Sequence, residues 1–138
     1  MKIECYMKKS LLVIFLVFVA AYAVAANKSD NKKDKAVTVY VWGASMSFSD
    51  SIVYFTEIQK VDNVVLKNGF LPNRQFYAYE LKDYMNFKEN MPGRISVIYF
   101  DEKRSDMEKK EQKIKKRLVE KEGKTVRYLG DKFMFTKP

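Results

Sequence analysis

The chain has 138 residues, with 26 lysines and arginines against 17 aspartates and glutamates, a net charge of +9, one cysteine and no histidine. That length accommodates one hydrophobic core and leaves no room for a second. Without histidine the commonest general base and metal ligand are missing, and with them every Ser/His and Cys/His arrangement, which excludes most familiar hydrolase chemistries.

Met1 to Ser10 carries Lys2, Lys8 and Lys9 against Glu4, and Leu11 to Ala26 has no charged residue. A basic flank followed by an apolar run is the pattern of an export signal. The run is shorter than the roughly 20 residues that a membrane-crossing helix needs. It ends in Ala23-Val24-Ala25, small residues that fit a signal-peptidase pocket. Residues 1–26 therefore read as a signal peptide cut near Ala25 or Ala26, and the body is expected in the periplasm or outside the cell. The alternative is an uncleaved anchor, because tilting or local bilayer thinning accommodates a short span. Met7-Lys8-Lys9-Ser10 offers a second start of the same kind. Cys5 lies before the apolar run, so no cysteine is placed to receive a lipid, and cleavage leaves a chain without thiols, as suits an oxidising compartment.

Residues 27–35 read Asn-Lys-Ser-Asp-Asn-Lys-Lys-Asp-Lys. Ordering them would cost chain entropy with no apolar surface to bury, so they are expected to be a solvated tether ahead of a single α/β domain, residues 36–138.

Val37-Thr38-Val39-Tyr40-Val41-Trp42 alternates with period two and predicts the first strand, with the valines on one face. Tyr40 and Trp42 share the other face, which is either covered as well or presents aromatic surface to a partner. Gly43 to Ser51 predicts fraying into a turn, and Ile52 to Gln59 a second strand paired with the first as a hairpin. Val64 to Leu66 is a short strand extension. Asn73 caps a predicted helix from Arg74 to Lys88, on which Tyr77, Leu81, Tyr84 and Met85 recur at helical spacing before Pro92-Gly93. Phe76, Tyr79 and Phe87 lie off that stripe; packing in the core accounts for them, with stacking on a ligand as the alternative.

Ile95 to Phe100 is apolar apart from Ser96 and predicts a strand central in the sheet. Ser105-Asp106-Met107-Glu108 reads as a capping box opening a second helix that runs to about Glu122 and stops before Gly123. Thr125 to Leu129 predicts a strand, Gly130-Asp131 a turn, and Lys132 to Phe135 a last strand paired back on it. The passage from Ile95 to Leu129 is expected to be a right-handed parallel crossover. The fold class is α/β (α+β): a two-layer sandwich in the order β-β-α-β-α-β(-β), with a mixed four- to five-stranded sheet and both helices on one face.

Met107, Ile114 and Leu118 define the buried stripe of the second helix at 100° per residue, which clusters Lys109, Lys113 and Lys116 on the opposite side with Lys110 and Arg117 beside them. Such a basic ridge attracts polyanions by counterion release, making these five residues the candidate binding site for an acidic polymer or glycan. An ordinary solvated face is the competing account, supported by Glu111 four residues before Lys115 and by Glu120 within the ridge. Asp101 and Glu102 follow a strand and precede a helix, where paired carboxylates bind a cation or act as acid and base, although neighbours on an extended strand point apart. The serines at 45, 47, 49 and 51 surround Asp50, with no activating group beside them. No phosphate loop, metal spacing or zincin motif occurs. The sequence thus predicts no catalytic residue, no metal and no cofactor.

Val39-Tyr40-Val41-Trp42-Gly43 running into Ser49-Asp50-Ser51, then Val53-Tyr54-Phe55-Thr56-Glu57-Ile58-Gln59, and the closing Val126-Arg127-Tyr128-Leu129 resemble small exported proteins of unknown function from Bacteroides-type gut bacteria. That resemblance implies a cell-envelope location and no assigned reaction. Ile95 to Leu129 is similar in outline to half of the sporulation-related repeat that binds peptidoglycan, although two opening strands depart from that pattern. The expected function is an exported, non-catalytic module acting through contacts with an unknown protein partner in the envelope or outside the cell. The alternative is binding of an anionic envelope polymer or glycan through the basic helix. Nucleic acid is not expected as a partner, and membrane only if the signal is uncleaved.

Overall fold

The computed structural model describes residues 35–136. The expected signal peptide and the tether up to residue 34 lie outside them. The elements are β1 (Ala36–Met46), β2 (Ile52–Phe55), β3 (Gln59–Val65), α1 (Arg74–Phe87), β4 (Ile95–Asp101), α2 (Arg104–Glu120), β5 (Thr125–Tyr128) and a 3-10 turn, Gly130–Lys132. They form an α+β fold with a mixed five-stranded sheet and two helices, the class expected from the sequence.

β1 organises the sheet. Its residues from Tyr40 to Met46 pair antiparallel with β4. Its other edge is shared, with β3 against residues 36 to 41 and β2 against residues 44 to 46. Opposite Trp42 and Gly43 the partner chain carries three residues, Thr56, Glu57 and Ile58, so the register slips by one and the predicted strand Ile52 to Gln59 divides into β2 and the start of β3. Thr56 spans the break. Its amide donates to the Gly43 carbonyl and its hydroxyl accepts from the Gly43 amide, both at 2.9 Å, so the buried backbone stays paired. β5 runs parallel to β2. β4 and β5 therefore point the same way with β1 and β2 between them.

β4 is an edge strand, where the sequence predicts a central one. Its apolar run reflects cover on both faces: Ile98 and Phe100 pack with α1, and Tyr99 packs in the cluster under α2. The same alternation on β1 divides the helices. Val39 and Val41 meet Tyr77, Leu81 and Met85 of α1, whereas Trp42 and Ala44 meet Met107 and Leu118 of α2. α1 and α2 thus lie against opposite faces, each forming its own two-layer packing with the sheet, rather than together on one face. Tyr40 and Trp42 sit on a covered face: the Trp42 ring stacks on Tyr99 at 4.5 Å and tilts against Phe55 at 4.7 Å.

At Gly43 the side chain of Leu81 from α1 packs directly onto the β1 backbone. A β-carbon there would lie 2.7 Å from Leu81 Cδ2 and 3.1 Å from Ile98 Cδ1. Only hydrogen fits.

Two predicted features take other forms. The capping box does not form, because α2 begins at Arg104 with Lys103 at its cap, placing Ser105 inside the first turn. The Asp101 carboxylate accepts the Lys103 amide at 3.1 Å and turns the chain early, and Glu108 pairs with Arg104 at 2.8 Å instead of returning to Ser105. The predicted last strand, Lys132 to Phe135, is replaced by the 3-10 turn and an extended tail under α1. There the Gln59 side-chain amide donates to the Phe133 carbonyl at 3.2 Å and accepts the Phe135 amide at 2.7 Å, as a strand would. Phe133 and Phe135 then pack edge-on against Tyr84 and Tyr77.

Candidate functional site

All five predicted cations lie on the solvent side of α2. Lys109 pairs with Asp106 at 3.6 Å, Lys110 with Asp101 at 3.5 Å, Lys116 with Glu120 at 4.0 Å and Arg117 with Glu122 at 3.4 Å. Lys113 has no ion pair among the described residues. These are long pairs between exposed groups, which stabilise little and leave the cations available to other anions.

The buried side of α2 carries a charge that the sequence reading places in an exposed pair with Lys115. Glu111 is 8 % exposed, one helical step from both Met107 and Ile114. Burial first, and then the nearby Glu111 carboxylate, raise the hydroxyl of Tyr128 of β5 above its ordinary pKa. Lys115 Nζ stands 5.0 Å over the Tyr128 ring. The signal for it was in the spacing: positions 107, 111, 114 and 118 form one apolar stripe with a single carboxylate in it.

Asp101 and Glu102 border an open groove of about 510 Å³ with Phe100, Lys103, Asp106 and Leu66. Asp101 is committed to the Lys103 amide and to Lys110 Nζ. Among the described residues no group of three or more His, Cys, Asp or Glu side chains is arranged to hold a metal ion.

Of the serine run, Ser45 is wholly buried and Ser47 and Ser49 share a hydrogen bond of 2.7 Å at the hairpin. Asp50 among them is structural. Its carboxylate pairs with the buried Arg94 guanidinium at 2.7 Å and accepts the Ile52 amide at 2.9 Å. The Arg94 hydrogen bonds, first among these causes, hold Asp50 below its ordinary pKa. Arg94 also donates to the Ile52 carbonyl and lies 5.0 Å over the Tyr54 ring, tying the β1–β2 hairpin to the entry of β4. Forty-four residues separate the partners, so no local pattern announces this pair.

The most distinctive surface is the outer face of α1. Tyr77, Leu81 and Met85 face the sheet. At 100° per residue, Phe76, Tyr79, Glu80, Asp83 and Phe87 gather on the far side. Phe76 is 51 %, Tyr79 57 % and Phe87 80 % exposed, so these rings belong to solvent and not to the core that the sequence reading assigns them. Phe76, Tyr79, Glu80 and Asp83 line a shallow groove of about 430 Å³ closed at one side by Thr136. Glu80 fixes that wall, accepting the Thr136 amide at 2.9 Å and its hydroxyl at 2.8 Å. Asp83 has no ion pair among the described residues.

Comparison of the chain with protein-family models, with curated proteins and with solved structures found no match.

Proposed function

We propose that this chain is an exported, non-catalytic module that acts through protein contacts in the cell envelope or extracellular space, and that its contact surface is the outer face of α1. The observation that carries this reading is the exposure of Phe76, Tyr79 and Phe87 on one stripe of a well-packed helix. Large exposed aromatic groups rimmed by polar residues characterise interaction surfaces, where such rings supply contact area at low entropic cost. The engagement of Asp101, Asp50 and Glu111 in turns and packing favours a contact role over acid–base chemistry. Export is supported by the basic flank, apolar run and small-residue exit of residues 1–26.

A photoreactive phenylalanine analogue at Tyr79, introduced in the producing cell, tests the surface. A discrete covalent adduct is expected at Tyr79 and not at the exposed Lys132. Folded protein that forms no adduct at Tyr79 refutes the assignment. The competing proposal is a polyanion- or glycan-binding module using Lys109, Lys110, Lys113, Lys116 and Arg117. It rests on the same exposed cations, whose long surface ion pairs leave them open to other anions.

A further inference from the structure

The outer faces of α1 and α2 are complementary to each other. On α1 the rings of Phe76, Tyr79 and Phe87 surround Glu80 and Asp83. On α2 the solvent side presents Lys109, Lys113 and Lys116, flanked by Lys110 and Arg117. At about 1.5 Å of rise per residue, α1 with 14 residues and α2 with 17 are similar in length, so one can lie along the other. Charges with no ion pair among the described residues include Asp83 and its neighbour Lys82 on α1 and Lys113 and Lys115 on α2; Asp83 lies on the aromatic side of α1 and Lys113 on the solvent side of α2. Lysine stems cover apolar rings while their ammonium groups reach carboxylates or ring faces, so an aromatic and acidic stripe suits a lysine-rich helix. Within one copy the two faces cannot meet, because the helices lie on opposite sides of the sheet.

We propose that the partner of the α1 outer face is the basic face of α2 from a second copy of this chain, an inference that rests on the contact surface assigned above. Such a contact is head-to-tail. One copy keeps its α2 face free and the other its α1 face, so assembly continues into rings or filaments instead of stopping at a symmetric dimer.

Sedimentation of the purified protein and two charge-reversed variants, all with the same N-terminus, tests this. The wild type should gain mass with concentration at low salt and lose it at high salt, where the screening length contracts from about 10 Å towards about 3 Å. Glu80→Lys with Asp83→Lys, and separately Lys109→Glu with Lys113→Glu and Lys116→Glu, should each weaken self-association roughly tenfold or more by setting like charges against each other. An equimolar mixture of the two variants should associate again, because each then offers the face the other lacks. A wild type that stays monomeric, or a mixture that does not recover, overturns the proposal. Should a variant fail to fold, the Tyr79 photo-adduct of the wild-type background decides instead: a cross-link to an α2 peptide of the same chain supports the contact, and any other product overturns it. An adduct with a different protein leaves the α1 surface standing and removes only the second copy as its partner, whereas no adduct removes both.

Discussion

Replacing Gly43 by alanine tests the packing of α1 on β1 directly. Gly43 is buried, and its φ lies outside the left-handed range in which glycine is required, so the new methyl group meets a steric problem and no backbone strain. It would stand 2.7 Å from Leu81 Cδ2, 3.1 Å from Ile98 Cδ1 and 3.3 Å from Phe135 Cζ. Leu81 is wholly buried and cannot swing away without displacing its own neighbours. Overpacking of this kind costs about 1–3 kcal/mol. The reduced freedom of the unfolded chain returns about 0.4–1 kcal/mol. The two ranges leave about 0–2.6 kcal/mol, and because Leu81 is wholly buried the loss should lie away from the low end, at about 1–2 kcal/mol or roughly 5–15 °C in Tm for a domain of this size. Leu81→Ala alone should cost about 2–5 kcal/mol, because it opens a cavity at the same place. In the double variant the alanine methyl group occupies part of that cavity, so the combined loss should fall short of the sum by at least about 1 kcal/mol. Urea unfolding of the four proteins, with equal slopes, measures the cycle. A neutral or stabilising Gly43→Ala, or losses that add within about 0.5 kcal/mol, would refute the contact.

Three further outcomes are expected. Asp50 is held below its ordinary pKa of 3.8, so its contribution to stability is present above that value and is lost as pH falls through its lower folded-state pKa; Asp50→Asn should flatten this part of an acid unfolding profile, and an unchanged profile would contradict the Arg94 pairing. Tyr84, pushed up to about 12 by burial and by its 2.7 Å hydrogen bond to Glu89, contributes stability that is present below 10.0 and lost as pH rises towards 12; Tyr84→Phe should remove that alkaline component, as read by unfolding at each pH. Charge reversal at Lys109, Lys113 and Lys116 should leave binding to cell-wall sacculi unchanged; loss of binding with folding intact would replace the protein-contact reading with the polyanion one.

The local elements were legible where their signal is periodic. The predicted helix Arg74–Lys88 and strand Ile95–Phe100 differ from α1 and β4 by one residue each, because a helical period and a short β-branched and aromatic run are both written within a few turns or pleats. Pairing is written nowhere locally. That β1 takes three strands, that β2 and β3 share one of its edges, and that β4 ends at the margin depend on a register slip at Thr56 and on contacts between distant segments. The division of α1 and α2 between two faces was implicit in the apolar character of both Val39/Val41 and Tyr40/Trp42. Choosing cover over an open aromatic face required knowing that Tyr99 and Phe55 would meet the indole. At the candidate site the basic residues were visible as a charge pattern. The rings of Phe76, Tyr79 and Phe87 were visible but placed inside, since hydrophobicity suggests burial and only geometry reveals which side of a helix is left over.

The position of β1 has a kinetic consequence. A strand bonded along both edges and roofed on both faces can lose its amide protons only when most of the body opens, so exchange with heavy water should be slowest from Tyr40 to Ser45 and fastest along the outer margins of β3 and β5. Because β1 comes early in the chain and meets β4 only after some fifty residues of intervening sequence, refolding must close a long loop before its best-protected segment is secured, which points to milliseconds or slower rather than the microseconds of a helical bundle.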